Sequence, residues 1–419
     1  MTTSLEKPAI KKGESRTSFA KSYVLWAVLA FLLIELTLRL VGSASPTLAS
    51  SKLRFSPLKV SHRSWPYWNV RELLNEPKPP AIGLLGSSLM MAALHGGDAV
   101  YLNAPQNVCF HHKSTLLKDL LEEKLHINGD NFAFALGGEM VSDAYMLSRS
   151  LFTSEHQPGC IIYGIAPRDF MDHALPSVTS TEIFKYVSRY NDEEAPALNT
   201  FDLQAYNTLT DKFEYLLKEL SFIYRHREDF LYLQHRYAEA LAGKLLGYRD
   251  MEMVHTPLHI RRQAFSELPE DSGPNECMVC PPTALQEPYD ANLSEYQFRY
   301  RKVSQKQFNE QLSYLTKLLE LCRSRKIKVI LVNMPLTEDN MGIMPQGFYK
   351  NYLDKVQTIS TAGGATLLDL NKPSDFPRKY FTDSVHLNTR GGKHFFAVLT
   401  DKLSEHQGCA ALLRAAQEH

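Results

Sequence analysis

The chain carries no net charge, because 46 acidic and 46 basic residues cancel. No overall field draws it to nucleic acid or to an acidic partner, so nucleic acid is not expected among its partners. Cysteine is scarce: six in 419 residues, too scattered for a disulfide scaffold. Cys160 and Cys322 fall in apolar or helical surroundings and read as small core residues. Cys277 and Cys280 have the spacing of half a zinc knuckle, but no second pair follows to complete four ligands. That pair reads as a loop disulfide or two free thiols, and no metal or other cofactor is expected.

An apolar run does stand near the amino terminus. Residues 1–21 are polar and carry Lys7, Lys11, Lys12, Arg16 and Lys21; residues 22–42 are mostly apolar but contain Glu35 and Arg39. A membrane-spanning helix needs about twenty residues, so 22–42 suffices if the two charges are tolerated. Four apart, they can pair on one helix face. A cleaved signal peptide and a buried core helix are the competing readings. The favoured expectation is a cytoplasmic tail over 1–21, a retained single-pass anchor over 22–42, and a main domain outside the membrane, periplasmic in a Gram-negative cell. Residues 43–80, rich in Ser and Pro, read as a linker.

Short apolar runs then alternate with helical spacings. Strands are expected at 81–85, 131–136, 160–164, 328–335 and 366–370, with a closing helix over 390–406. This pattern predicts an α/β domain with a parallel sheet covered on both faces, formed by 81–170 and 304–406. Residues 171–303 break the rhythm and read as a large, mainly helical inserted cap. Its aromatics Tyr224, Phe230, Tyr232 and Tyr237 are expected to pack helices.

In such sheets ligands bind outside the carboxyl ends of the strands. After the first strand comes Gly86-Ser87-Ser88, and after the last comes Asp383-Ser384-Val385-His386-Leu387-Asn388. A serine on a strand-to-helix turn presents its hydroxyl, though serine is also a common helix cap. Asp and His three apart can lie side by side, the carboxylate fixing the imidazole tautomer. Gly391 and Gly392 suggest close backbone approach there.

Together these blocks resemble the SGNH (GDSL-type) hydrolase superfamily, over roughly 80–170 and 304–405 by strand order. In that family a Gly-x-Ser block follows the first strand and an Asp-x-x-His block precedes the last helix. The resemblance implies Ser88 as nucleophile with Asp383 and His386 as partners, within a three-layer fold. Ser87 stands where the family usually has aspartate, and Gly137 or Gly138 matches the glycine that lends an oxyanion amide. The asparagine expected after the third strand is missing; the residues there are Gly164-Ile-Ala-Pro-Arg168-Asp169. Arg168 stabilises an oxyanion or an anionic substrate, or it forms an ion pair with Asp169 or another loop acid. Similar membrane-anchored proteins O-acetylate exopolysaccharides or D-alanylate teichoic acids. The implied function is serine-dependent acyl transfer or ester hydrolysis on an extracytoplasmic glycan or lipid, with a membrane-bound acyl-donating partner. The alternative is a catalytically inactive scaffold of an envelope-polymer assembly.

Overall fold

The computed structural model describes residues 23–44, 65–108, 110–153, 155–181, 183–184, 187, 209–225, 241, 244, 279–280, 289–301 and 304–415. The tail over 1–21, Cys109, Cys277, Phe230, Tyr232 and Tyr237 lie outside them.

Five parallel strands form the central sheet: β1 (Ile82–Gly86), β3 (Asn131–Ala135), β4 (Cys160–Ile165), β6 (Lys328–Asn333) and β7 (Thr366–Asp369). Their spatial order is β3-β1-β4-β6-β7. β1 therefore lies between β3 and β4, in register Gly86↔Ala135 and Gly86↔Gly164. Because the chain builds leftward to β3 and then returns to the other side of β1, the sheet switches direction there. A crevice opens at the carboxyl ends of strands at such a point. β1, β3 and β4 are buried along their whole length, as continuous apolar runs demand.

Two groups of helices pack on this sheet. Ser88–Leu102, Thr115–Leu125 and Thr389–Glu405 pack together, as do Val141–Leu151, Gln305–Ser324 and Phe348–Gly363. The crossing of Ser88–Leu102 with Thr389–Glu405 is unusually close. A Cβ on Gly392 would stand 2.4 Å from the Ala93 carbonyl oxygen and 2.7 Å from the Gly97 amide nitrogen. Only hydrogen fits, so the glycines set how near the first and last parts of the sheet domain come. Cys160, Cys322 and Cys409 are buried in the core and unbridged.

Two boundaries differ from the sequence expectation. The linker 43–80 contains a helix, Trp65–Asn75, which docks on the sheet domain. Val70 and Leu73 are buried, Asn69 Nδ2 donates to the Ala133 carbonyl at 2.8 Å, and Glu76 meets Lys113 at 2.7 Å. The insertion, too, is woven into the core at both ends. Val178, Ile183, Phe184 and Val187 are buried on its way out, and Tyr296 and Tyr300 on its return. In between, β5 (Val279–Cys280) pairs antiparallel with β2 (Gln106–Asn107), and Cys280 is a free thiol.

The helix Tyr23–Ala44 is long and apolar enough to cross a membrane, with its apolar window at Tyr23–Leu40.

Candidate active site

Ser88 opens the helix that follows β1, with buried Ser87 at the N-cap in extended conformation. The Ser87 side chain makes no cap hydrogen bond; its hydroxyl is buried beside Asp169, outside hydrogen-bonding geometry. Ser88 is only partly buried, so its hydroxyl can be reached.

The loop after β7 brings Asp383 and His386 to that hydroxyl. His386 Nε2 lies 2.8 Å from Ser88 Oγ, and His386 Nδ1 lies 2.6 Å from Asp383 Oδ2. Asp383 Oδ1 accepts the amides of His386 at 2.7 Å and Val385 at 2.8 Å. An ionised carboxylate only accepts, so Nδ1 carries the imidazole proton and Nε2 offers its lone pair to the serine O–H. Burial alone would raise the Asp383 pKa. The hydrogen bond and charge of His386, with the two amides, outweigh it and hold the carboxyl below its ordinary value.

The loop itself is clamped from three directions. Thr337, just past β6, donates its hydroxyl to the Ser384 carbonyl at 2.8 Å, and Asn340 Nδ2 reaches Ser384 Oγ at 3.1 Å. Tyr300 of the insertion donates to Asn340 Oδ1 at 3.0 Å, and the Asp290 amide donates to the Thr382 carbonyl at 3.2 Å. Asn388 Oδ1 accepts the Gly391 amide at 2.9 Å and caps the last helix. Asn388 is thus the cap, and His386 is free to face Ser88. Thr337 and Asn340 were missed by sequence reasoning, although the rule of strand ends points to the residues after β6.

Gly137 and Gly138 follow β3 at the same rim, beside the turn into Ser88, because the Leu136 amide donates to the Gly86 carbonyl at 2.8 Å. Gly138 adopts φ +78°, a left-handed conformation that strains side-chain-bearing residues. Among the described residues, neither glycine amide donates a hydrogen bond.

Arg168 takes the ion-pair role. It is 4% exposed, with Nη2 at 2.8 Å from both Asp169 Oδ1 and the Glu139 carbonyl and Nη1 at 3.2 Å from Asp172 Oδ2. Asp172 also meets Arg299 at 2.6 Å. Burial disfavours the Arg168 charge, but Asp169 and Asp172 more than compensate and its pKa is raised. Around this core the acids outnumber the bases. Burial, then the charges of Asp143 and Asp169, push Glu139 well above the usual carboxylate range, and neither of its carboxyl oxygens has a hydrogen-bond partner. Burial likewise lifts Asp143 to about 7, against the hydrogen bonds from Thr181 and the Met140 amide.

Among the described residues no cluster of His, Cys, Asp or Glu is arranged to hold a metal ion. What the rim can do chemically is move a proton from a serine hydroxyl to an imidazole whose other nitrogen is held by a carboxylate.

Residues 104–403, most of the chain, match the family model DUF1574, described as a protein of unknown function. The chain belongs to that family. The DUF1574 match includes Asp383 and His386 and begins after Ser88. No curated protein matches the chain.

Proposed function

We propose that this chain is a membrane-anchored serine acyltransferase or esterase of the SGNH type, acting on an extracytoplasmic glycan or lipid. The observation that carries this reading is the continuous line Ser88 Oγ, His386 Nε2, His386 Nδ1, Asp383 Oδ2, with contacts of 2.8 and 2.6 Å. Ser88 Oγ attacks an ester or thioester carbonyl while its proton passes to Nε2. The carbonyl oxygen becomes an oxyanion, for which the backbone amides of Ser88 and of Gly137 or Gly138 are the available donors. Collapse expels the alcohol or thiol leaving group, which takes the proton from His386 and leaves an acyl-serine. An acceptor hydroxyl, or water, then gives its proton to His386 and attacks the acyl carbon, and Ser88 recovers its proton.

Arg168 takes no part in this scheme, because its Nη1 and Nη2 groups are held by Asp169, Asp172 and a carbonyl. With the asparagine of the related families missing, backbone amides carry the oxyanion. The returning insertion, bonded to the Asp383 loop through Asp290 and, by way of Asn340, through Tyr300, would limit the access of water and so favour transfer. Basic residues ahead of the apolar helix put the amino terminus in the cytoplasm and the site outside. A membrane-bound partner would then supply the acyl group.

The test is a fluorophosphonate probe on the full-length protein. Wild type is expected to form an adduct at Ser88, and Ser88→Ala and His386→Ala to form none. A folded wild-type protein that the probe does not label would favour the scaffold reading and end this one.

A further inference from the structure

The two charges within the apolar helix Tyr23–Ala44 are paired with each other, Arg39 Nε standing 2.9 Å from Glu35 Oε1. They also grip the insertion. Glu35 Oε2 accepts the Ser221 hydroxyl at 3.0 Å and the Ile223 amide at 3.1 Å, and Oε1 accepts the Phe222 amide. Arg39 donates to the Leu220 carbonyl. The carboxylate therefore sits at the start of the short helix Phe222–Arg225, and the guanidinium at the end of the helix Leu209–Leu220. Each charge meets the helix end whose dipole it complements.

The helix held in this way is amphipathic. Leu209, Phe213, Leu216 and Leu220 recur at spacings of four, three and four, which places them on one face. They are 87%, 62%, 51% and 70% exposed. Lys212 and Glu214 lie between them in sequence, and Tyr215 packs toward the domain core.

We propose that the helix Leu209–Leu220 lies in the lipid–water interface of the bilayer that the amino-terminal helix crosses, with the 209/213/216/220 stripe inserted among the acyl chains. The depth agrees. Glu35 is five residues inside Leu40, the last residue of the apolar window, which is about 7.5 Å along a helix axis. Interfacial helices bury their apolar face about 5–10 Å below the headgroups. The carboxylate inside the span thus has a physical role. It satisfies backbone amides that would otherwise be stranded at the edge of the hydrocarbon, and it fixes the insertion beside the anchor. The outcome is a second membrane contact on the insertion, whose returning end bonds the Asp383 loop through Asp290. This inference rests on the anchor reading and not on the chemistry of Ser88.

Photo-crosslinking of the full-length chain in phosphatidylcholine vesicles tests it, with p-benzoylphenylalanine placed at position 213 or, on the far side of the same helix, at position 214. Irradiation is expected to give a lipid adduct from position 213 and little or none from position 214. No lipid adduct from 213, equal yields from both, or a protein adduct in place of lipid would overturn the proposal. Replacing Glu35→Ala and Arg39→Ala together is expected to abolish most of the 213 adduct while the chain resists carbonate extraction; an undiminished adduct would refute the docking role. The 213-against-214 comparison uses an otherwise unaltered anchor, so it decides the matter even if the double substitution impairs folding.

Discussion

Among the described residues, serine, histidine and aspartate side chains bond to one another in two places, and the order of their hydrogen bonds separates the two. At the rim, His386 stands between Asp383 and Ser88, at 2.6 and 2.8 Å. Some residues away, Asp98 stands between His111 at 2.6 Å and the Ser114 hydroxyl at 2.9 Å. Asp98 also accepts the amides of Thr115 at 2.7 Å and Leu116 at 3.0 Å. With the imidazole in the middle, a serine proton has somewhere to go. With the carboxylate in the middle, both neighbours donate to it, and the Ser114 hydroxyl, held so, accepts the Leu117 amide and caps the helix Thr115–Leu125. Exposure follows the same division: Ser88 is partly open, whereas Ser114 is 1% and Asp98 0% exposed.

Removing each serine should therefore separate function from stability. Ser88→Ala is expected to cut turnover of an activated acetyl ester by about 10⁵-fold at unchanged melting temperature, as loss of a nucleophile does. Ser114→Ala should leave turnover intact. Equal turnover by the two variants would erase the distinction. Next in size, Asp383→Asn should slow turnover by about 10⁴-fold, because the imidazole no longer has its tautomer fixed. Asp98→Ala is expected to show its effect in denaturant titration instead. It leaves His111, Ser114 and two amides without their acceptor, at a cost of about 3–5 kcal/mol. Ser114→Ala itself should cost about 1 kcal/mol, the value of one helix cap.

The last effect expected is on the pH dependence of stability. Asp383, held below its ordinary pKa, stabilises the fold above that ordinary value and loses the contribution as pH falls through its folded pKa. Asp143 works the other way. With a folded pKa raised from 3.8 to about 7, it favours the fold most at low pH and its contribution falls as pH rises through that window. Asp143→Asn should flatten the decline between about pH 4 and pH 7 in denaturation curves. An unchanged slope would show that this carboxyl is not what titrates.

Much of this was legible in the chain. The runs of β1, β3 and β4 were plain because both faces of the central parallel sheet are covered there, which leaves no alternation to misread. Ser88 was legible because it follows the first strand by two residues, and Asp383 and His386 because they stand three apart just ahead of the closing helix. Gly392 was as well, since a glycine where a cap suffices signals backbone contact. The helix Trp65–Asn75 was not, because the Ser- and Pro-rich sequence on either side of it resembles a linker and the helix gives the core little more than Asn69, Val70 and Leu73. The role of Arg168 was left open between oxyanion and ion pair, because only burial beside Asp172, four residues on, decides it. The docking of Glu35 and Arg39 on Leu220–Ile223 was equally hidden. A contact across more than 180 residues leaves no local pattern.

One feature of the topology bears on how the protein is made. β1 and the helix after it are the first part of the sheet domain to be synthesised, while the segment bearing Asp383 and His386 comes nearly last, 298 positions on from Ser88. Contacts so remote in sequence form late and slowly. A chain emerging from the ribosome therefore carries Ser88 without His386 beside it until almost the whole polypeptide has been made. On the proposed chemistry, truncated or stalled products would be chemically silent.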